Sequence, residues 1–243
     1  MSRRAGSVLA WPPDDRWLDL PPPFSARWVA SDAFGAARTM ALADGEPGTL
    51  VLGEDDALLE LAIILEPDRP AADCFAVLPL AMLALAEAWA SAAPDAEPLQ
   101  FAWPSGLVVD GAAVGRARLA LPKPGPEKLP VWLVVGLELR LSPAAESTDE
   151  QPQSALDMAE VADVSTATLV EAFAQQFLVW VQDWQADGLG SAATAFQERL
   201  VEPAGEVARI DPLTFDLVSS GPPEEREGLA EALLLGGAGA GLR

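Results

Sequence analysis

The sequence contains no histidine, and its 243 residues include one cysteine, Cys74. Histidine is the most frequent general base and a frequent metal ligand, so a catalytic or metal site in this chain would need other residue types. A zinc site built from cysteine and histidine is excluded within one chain, and we expect no metal site. A single cysteine cannot form an internal disulfide, which predicts a protein of the reducing cytoplasm.

Positive charge is also scarce. Lysine and arginine number 15 against 37 acidic residues, which gives a formal net charge of −22. Proteins that bind nucleic acids or anionic membranes rely on clustered lysine and arginine, so we expect neither partner. We also expect no membrane span, because no apolar run approaches the roughly 18 residues that one needs. The preference for arginine over lysine is typical of a GC-rich bacterial genome.

The composition, 50% hydrophobic and 21% charged, predicts one sizeable globular domain with a small appendage. Residues 1–23 are rich in proline, which excludes regular helix, and we expect an extended arm there. Residues 24–201 are predicted to form an α+β domain. Residues 202–243 are predicted to form a small appendage with a β-hairpin and a helix. The acidic, proline-broken residues 142–163 are predicted to be a loop whose role is open.

Periodicity and capping signals predict the elements around the centre of the domain. We expect strands at 24–30, 49–53 and 58–65, and helices at 33–43, 72–92, 166–186, 191–201 and 222–235. Ser31-Asp32 and Ser165 are the predicted helix caps. A hairpin is expected from residues 206–210 and 214–219. The two long helices, 72–92 and 166–186, each carry one apolar stripe and should pack on a sheet.

Residues 99–141 carry the strongest strand signals. Three apolar runs are separated by turn residues, and Asp110-Gly111 lies between two of them. An Asp-Gly pair between apolar runs is a strong hairpin signal, because glycine adopts positive φ without steric cost. We therefore predict three or four consecutive antiparallel strands in this stretch.

The same stretch resembles the catalytic core of the biotin and lipoate protein ligases. The shared features are an aromatic-x-Trp-Pro sequence, an Asp-Gly hairpin and glycines in the next two strands; in this chain they are Trp103, Pro104, Asp110-Gly111, Gly115 and Gly136. The resemblance implies an α+β fold, with a mixed, mostly antiparallel sheet and two long helices packed on it, as in that class II synthetase-like catalytic domain.

The resemblance also indicates where the chain departs from the family. Ser105-Gly106 stands where the family has Asn-Asp, Ala113 where it has the catalytic lysine, and Arg140 where it has the last asparagine. Glu54-Asp55-Asp56 replaces the family's glycine- and arginine-rich phosphate loop. Because one positioned cation or donor is commonly worth orders of magnitude in rate, we expect adenylation to be lost. ATP and Mg²⁺ would be cofactors only if the chain is an active ligase.

Three arginines are the candidate catalytic or anion-binding residues: Arg116, Arg118 and Arg140. Strand alternation places Arg116 and Arg118 on one face, together with Val114 and Ala120. Two arginines on one face of a sheet can hold a carboxylate or a phosphate through paired hydrogen bonds. Ion pairs with the many acids, such as one between Arg140 and Glu138, are the alternative explanation.

Two functions follow from the resemblance. The first is a divergent ligase-like protein without adenylation activity, which binds a small carboxylate-bearing ligand or a protein partner such as an acyl-carrier-type protein. The second is an active biotin- or lipoate-type ligase with a rewired site. The ligand-binding residues that the resemblance implies are Trp103, Ser105, Ala113, Gly115 and Gly136. We expect a cavity between residues 49–65 and 103–115, and the sequence does not predict the oligomeric state.

Overall fold

A computed structural model describes residues 18–55, 57–122, 127–141, 165–201, 208–219 and 224–238. In chain order the elements are β1 (Ser25–Val29), α1 (Ala33–Leu42), β2 (Thr49–Gly53), β3 (Leu58–Leu65), α2 (Ala71–Cys74), α3 (Val77–Ala92), β4 (Gln100–Ala102), β5 (Gly106–Val109), β6 (Ala112–Ala120), β7 (Leu133–Arg140), α4 (Thr166–Asp187), α5 (Gly190–Arg199), β8 (Ala208–Ile210), β9 (Leu217–Ser219), β10 (Glu225–Glu227) and α6 (Leu229–Ala238). Most of residues 1–23 and the predicted acidic loop lie outside the described residues.

Seven strands form the main sheet, in the order β1-β2-β3-β7-β6-β5-β4. The β1 and β2 strands pair in parallel, and all other neighbours are antiparallel. The predicted α+β fold with a mixed, mostly antiparallel sheet is therefore confirmed.

The four consecutive strands expected in residues 99–141 are β4 to β7. The β5–β6 turn contains Asp110 with φ 49° and Gly111 with φ 73°. Two successive positive φ values define the tight hairpin turn that matches the natural twist of paired strands. The Asp-Gly signal was therefore a correct predictor of this turn.

The main core lies between one face of the sheet and the helices α3 and α4. Every residue of α3 from Val77 to Ala86 is buried, because the sheet covers one side of this helix and α4 another. The single helix expected over residues 72–92 is interrupted after Cys74, so that Pro79 falls in the first turn of α3, where a missing N–H is tolerated.

The segment Ala71–Ala92 corrects one expectation about length. With 22 residues and a mean hydropathy of 1.7, it is long and apolar enough to span a membrane, because alanine and leucine dominate it. However, 78% of its most apolar window is buried inside the protein, as expected of a core helix.

Helix α1 lies on the opposite face of the sheet, over β2, β3 and β7. A second, smaller core forms beneath it; its buried members are Ala33, Phe34, Ala37, Ala41, Val51, Ala62, Ile64 and Val134. Asp32 caps the helix, and its Oδ1 accepts a hydrogen bond of 3.0 Å from the Gly35 amide. The predicted cap is thus confirmed at Asp32, and small residues let the helix approach the sheet closely.

A β-bulge interrupts the pairing of β5 with β6. Leu107 pairs with Gly115 and Val108 with Ala113, so that Val114 is the extra residue. Simple alternation placed Val114 on the face of Arg116 and Arg118, and this is wrong, because the bulge turns Val114 into the main core, where it is 3% exposed.

The C-terminal part contains a separate three-stranded sheet in the order β10-β9-β8. Two of its strands form the expected hairpin. The helix expected from residue 222 begins only at Leu229, because residues 225–227 pair with β9.

Candidate functional site

Charged side chains form a cluster on the face of the sheet that carries α1. Glu60 of β3 pairs in register with Glu138 of β7, and Glu138 pairs with Arg116 of β6. Residues paired in this way project from the same face. Arg118 lies two residues further along β6, and Asp32 lies at the start of α1 within reach of it. We call these five residues the polar cluster.

Glu138 is the central acid of the polar cluster. Its Oε2 lies 2.7 Å from Arg116 Nε, and its Oε1 is contacted by Arg118 Nη2. The Glu138 side chain is 16% exposed, that of Arg118 is 30% exposed and that of Arg116 is 50% exposed. The two arginines therefore share one face, as alternation predicts, and one carboxylate holds both. The ion pairing that the sequence left as an alternative is present.

Arg118 has three further features. Its Nη2 lies 3.7 Å from Asp32 Oδ1, and its Cζ lies 4.5 Å from the centre of the Phe34 ring. Its Nε is buried and has no hydrogen-bond partner among the described residues. A buried N–H without a partner costs about 1 to 3 kcal/mol. The guanidinium group is thus held by a ring and two acids while one of its donors remains available.

Glu60 faces Glu138 across the sheet, and two carboxylates in register repel each other when both are charged. Burial, followed by this repulsion, raises the pKa of Glu60 above its ordinary value, although the Asp32 amide and Arg118 act in the opposite direction. Three acids and two arginines give the polar cluster a net charge of −1 when all are ionised. Protonation of Glu60 would make it neutral.

Gly136 lies beneath the ring of Phe34. A Cβ atom at this glycine would stand 2.5 Å from Phe34 Cδ2, which is closer than atoms can pack. Phe34 is 9% exposed and belongs to the smaller core. Because Gly136 has no side chain, the Phe34 ring can pack against β7 at this position, and the Arg118 guanidinium lies over that ring.

The other predicted ligand residues lie elsewhere. Trp103 is half-buried at the end of β4 and packs on the main core, with its ring at 6.4 Å and 87° to Phe196. Gly115 pairs with Leu139, on the face opposite Arg116, and a side chain there would collide with the β7 backbone. Ala113 is exposed beyond the bulge.

Ser105 lies in the turn between β4 and β5, where its carbonyl accepts a hydrogen bond of 2.7 Å from the Ala117 amide. Gly136 pairs with Arg118 and lies against Phe34, whereas Gly115 meets the backbone of Glu138 from the opposite face of the sheet.

Arg140 lies two residues beyond Glu138 on the same face of β7, in register with Leu58. The acidic turn between β2 and β3 includes Glu54 and Asp55, and Asp55 Oδ1 accepts a hydrogen bond of 2.9 Å from the Ala57 amide. Asp56 lies outside the described residues. The carboxylates in this turn oppose the approach of another anion.

The polar cluster offers charge recognition rather than nucleophilic chemistry. It contains guanidinium and carboxylate groups, and none of its five residues is a serine, cysteine or lysine. Among the described residues, no group of three acidic or cysteine side chains is placed to hold a metal ion. Both arginines contact the carboxylate of Glu138, and guanidinium groups form strong hydrogen bonds with carboxylates.

Sequence reasoning missed three residues around this site: Asp32 as an ion-pair partner, Phe34 and Glu60. Glu60 gave a usable signal, since it is the one charged residue in the otherwise apolar β3 strand. Phe34 gave none, because its contact with Gly136 joins residues about a hundred positions apart.

Two described cavities lie away from the expected position between residues 49–65 and 103–115. One, of about 520 Å³, is an open depression along the outer side of α1 from Ser31 to Leu42. The other, of about 310 Å³, lies at the end of the sheet next to α4.

Comparison with known proteins gives one family. The profile of the biotin/lipoate A/B protein ligase family matches residues 20–198. A solved structure of a biotin protein ligase-like protein of unknown function from Silicibacter sp. TM1040 is 26% identical, with a TM-score of 0.78, over 89% of this chain and 99% of that one. No curated protein matches the chain.

Solved ligases share the fold at lower identity. The biotin protein ligase of Aquifex aeolicus in complex with biotin and ATP is 10% identical, with a TM-score of 0.65, over 83% of this chain and 94% of that one. The ligase of Leishmania major in complex with biotinyl-5-AMP is 14% identical, with a TM-score of 0.52, over 86% and 98%. At this identity the likeness concerns the fold alone.

Proposed function

Because this chain belongs to the biotin/lipoate A/B protein ligase family, we propose that it is a member without adenylation activity that binds a small carboxylate-bearing ligand at the polar cluster. The observation that carries the proposal is the meeting of Arg116 and Arg118 on one carboxylate, that of Glu138. An arginine pair that accommodates one carboxylate presents the geometry that a ligand carboxylate requires.

The environment of Arg118 supports the same conclusion. Phe34 covers one face of the guanidinium, and the buried Nε donor has no partner among the described residues. A ligand oxygen that reached this donor would satisfy it, and the surrounding burial would strengthen the contact. Of the predicted ligand residues, we assign Gly136 to this proposed site, because it lies directly beneath Phe34.

The residues present do not suit ATP. Adenylation requires cations that neutralise phosphate charge, whereas the two arginines of the polar cluster are outnumbered by its three acids, so that its net charge is −1 when all are ionised. Asp32, Glu60 and the nearby turn with Glu54 and Asp55 add negative charge. At 4 Å, each like-charged pair costs about 1 kcal/mol in water and more where water is excluded.

The test is a binding screen on the full chain. Thermal unfolding and calorimetry with biotin, lipoate and octanoate should give an upward shift for at least one carboxylate, since a ligand at 100 times its dissociation constant stabilises by about 2.7 kcal/mol. The matched amide of the same ligand should bind more weakly, because it lacks the charge that the arginines recognise.

Charge variants localise the site. Arg118→Gln should weaken carboxylate binding by about tenfold or more, which corresponds to about 1.4 kcal/mol. Arg27 is an exposed arginine on β1. Arg27→Gln is therefore the matched control and should leave binding unchanged. Equal affinity in Arg118→Gln and the parent would reject the polar cluster as the site.

Binding should also depend on pH through Glu60. Because the pKa of Glu60 is raised, this carboxyl takes up a proton at a higher pH than an ordinary glutamate. Carboxylate affinity should therefore rise as the pH falls from 7.5 towards that pKa. The Glu60→Gln variant, which stays neutral, should bind more tightly at pH 7.5 and lose this part of the pH dependence. An identical pH profile in the parent and the variant would contradict the assignment.

The alternative is an active biotin- or lipoate-type ligase with a rewired site. We expect no pyrophosphate release above background from the protein with ATP, Mg²⁺ and biotin or lipoate, since Ala113 and Ser105-Gly106 stand at the family's catalytic positions. Turnover that Arg116→Ala abolishes would establish the alternative. If no carboxylate binds, an acyl-carrier-type protein becomes the better candidate partner. A cytoplasmic location remains part of the proposal and is checked by cell fractionation.

A further inference from the structure

A cavity of about 310 Å³ lies where β1 and β2 begin and β3 ends, on the side of the sheet that carries α4. It is separate from the polar cluster. Leu65, which lines it, is five residues along β3 from Glu60, or roughly 17 Å, and belongs to the main core rather than the smaller one.

The interior of this cavity is apolar. The side chains that define it are Phe24, Leu65, Val77, Leu133, Phe177 and Val181. The rings of Phe24 and Phe177 lie 6.4 Å apart, so that they close one wall. An engineered apolar cavity of about 150 Å³ binds benzene, and this cavity has about twice that volume. An alkyl chain of about eight carbons therefore fits inside.

The rim carries more negative than positive charge. The Cζ atom of Arg69 lies 4.4 Å from the centre of the Trp184 ring. Its Nε atom lies 3.9 Å from Asp68 Oδ1. Glu66 also lines the cavity, and no ion pair is found for it within 4 Å among the described residues. With Asp68 offset by Arg69, the charge left at the rim is that of Glu66. A ligand with a positive end is complementary to such a rim, and an anion is not.

We propose that this cavity binds a small aliphatic amine, with the alkyl chain between β3 and α4 and the ammonium group next to Glu66. The ligand is thus opposite in charge to the one that the polar cluster accepts, and the two sites can be tested independently in the same protein.

The experiment is calorimetric titration of the full chain with three eight-carbon probes: octylamine, octan-1-ol and octanoate. Octylamine should bind most tightly, and octan-1-ol should bind more weakly because it lacks the charge. Val181→Phe places a ring in the cavity and should weaken octylamine binding by about tenfold or more. The matched control is Val179→Phe, since Val179 is 49% exposed on the same helix and does not line the cavity.

A charge pair of variants provides a second measurement that does not depend on filling the cavity. Glu66→Gln should weaken octylamine binding several-fold and leave octan-1-ol unchanged. Asp183→Asn removes the same charge at an exposed position of α4 outside the cavity and should change neither. Octanoate can also bind at the polar cluster. Binding there should be lost in Arg118→Gln and retained in Val181→Phe, which separates it from binding in the cavity.

Absence of octylamine binding would overturn the proposal. Retained binding in a folded Val181→Phe, or equal losses in Glu66→Gln and Asp183→Asn, would also do so. The failure of carboxylate binding at the polar cluster would leave this result unaffected.

Discussion

Replacing Gly136 with alanine should destabilise the protein through a single contact. The added Cβ would stand 2.5 Å from Phe34 Cδ2, 3.2 Å from its Cγ and 3.3 Å from its Cβ. The ring cannot retreat easily, because Phe34 is 9% exposed between α1 and the sheet. Overpacking of this kind costs about 1 to 3 kcal/mol. The change would be measured as a lower midpoint of urea unfolding with an unchanged slope.

A double-mutant cycle makes the reasoning specific. Phe34→Leu alone should cost less than the about 3 to 5 kcal/mol of a phenylalanine-to-alanine change. With Phe34→Leu in place, Gly136→Ala should cost close to nothing, because the leucine leaves room for the new methyl group. The coupling energy should therefore be about 1 to 3 kcal/mol, within the range of residues in direct contact.

Two other glycines serve as controls. Gly115→Ala should destabilise equally in both backgrounds, since its Cβ would meet the backbone of β7 rather than Phe34. Gly190→Ala should be tolerated, because nothing lies within 4 Å of its Cβ position at the start of α5. If Gly136→Ala melts like the parent, or if Phe34→Leu fails to rescue it, Phe34 does not pack on Gly136.

Three further predictions concern other parts of the chain. Trp103→Ala should destabilise the protein by less than the about 3 to 5 kcal/mol of a fully buried tryptophan, because Trp103 is half-buried. Trp103→Phe should be nearly neutral, since it also removes a buried Nε1 that has no partner among the described residues. A urea midpoint for Trp103→Phe as low as that for Trp103→Ala would contradict this. Hydrogen bonds from the Leu213 and Thr214 amides, together with Arg226, hold the pKa of Asp211 below its usual value. The ionised Asp211 therefore stabilises the folded protein at any pH above the aspartate pKa of the unfolded chain, about 3.9, and this stabilisation is lost as the pH falls through the pKa of Asp211 in the folded protein. Asp211→Asn should lower the free energy of unfolding more at pH 6 than at pH 3. An equal loss at both pH values would refute this prediction. Burial raises the pKa of the Cys74 thiol to about 11, so iodoacetamide at pH 8 should label the native protein far more slowly than the urea-unfolded chain, and equal rates would exclude the buried position.

The sequence was sufficient where a local signal determines the structure. The Asp110-Gly111 turn needs only two residues that tolerate positive φ, and the cap at Asp32 needs only a side-chain oxygen near the amide of Gly35. The stripe of α4 is equally local, because a helix that buries one face must carry apolar residues at intervals of three and four. Helix α3 differs from its predicted single stripe, since every residue from Val77 to Ala86 is buried between the sheet and α4.

What the sequence did not predict depends on distant partners. The parallel pairing of β1 with β2 and the position of α1 on the second face are set by packing across the sheet. At the site, Arg116 and Arg118 were identified from alternation. Their shared partner Glu138 and the support from Phe34 depend on the register of β7 and on the approach of α1. No periodic pattern encodes either contact.

The β-bulge at Val114 has a consequence for how this domain can change during evolution. On one side of the bulge, β6 follows the register of the Asp110-Gly111 hairpin; on the other side, it follows the register of β7. Arg116 and Arg118 lie beyond the bulge, where they pair with Glu138 and Gly136 of β7. Changes in the length or sequence of the hairpin tip can be absorbed at the bulge before they reach the arginines. The tip is thus free to diversify while the charged face behind it is inherited intact.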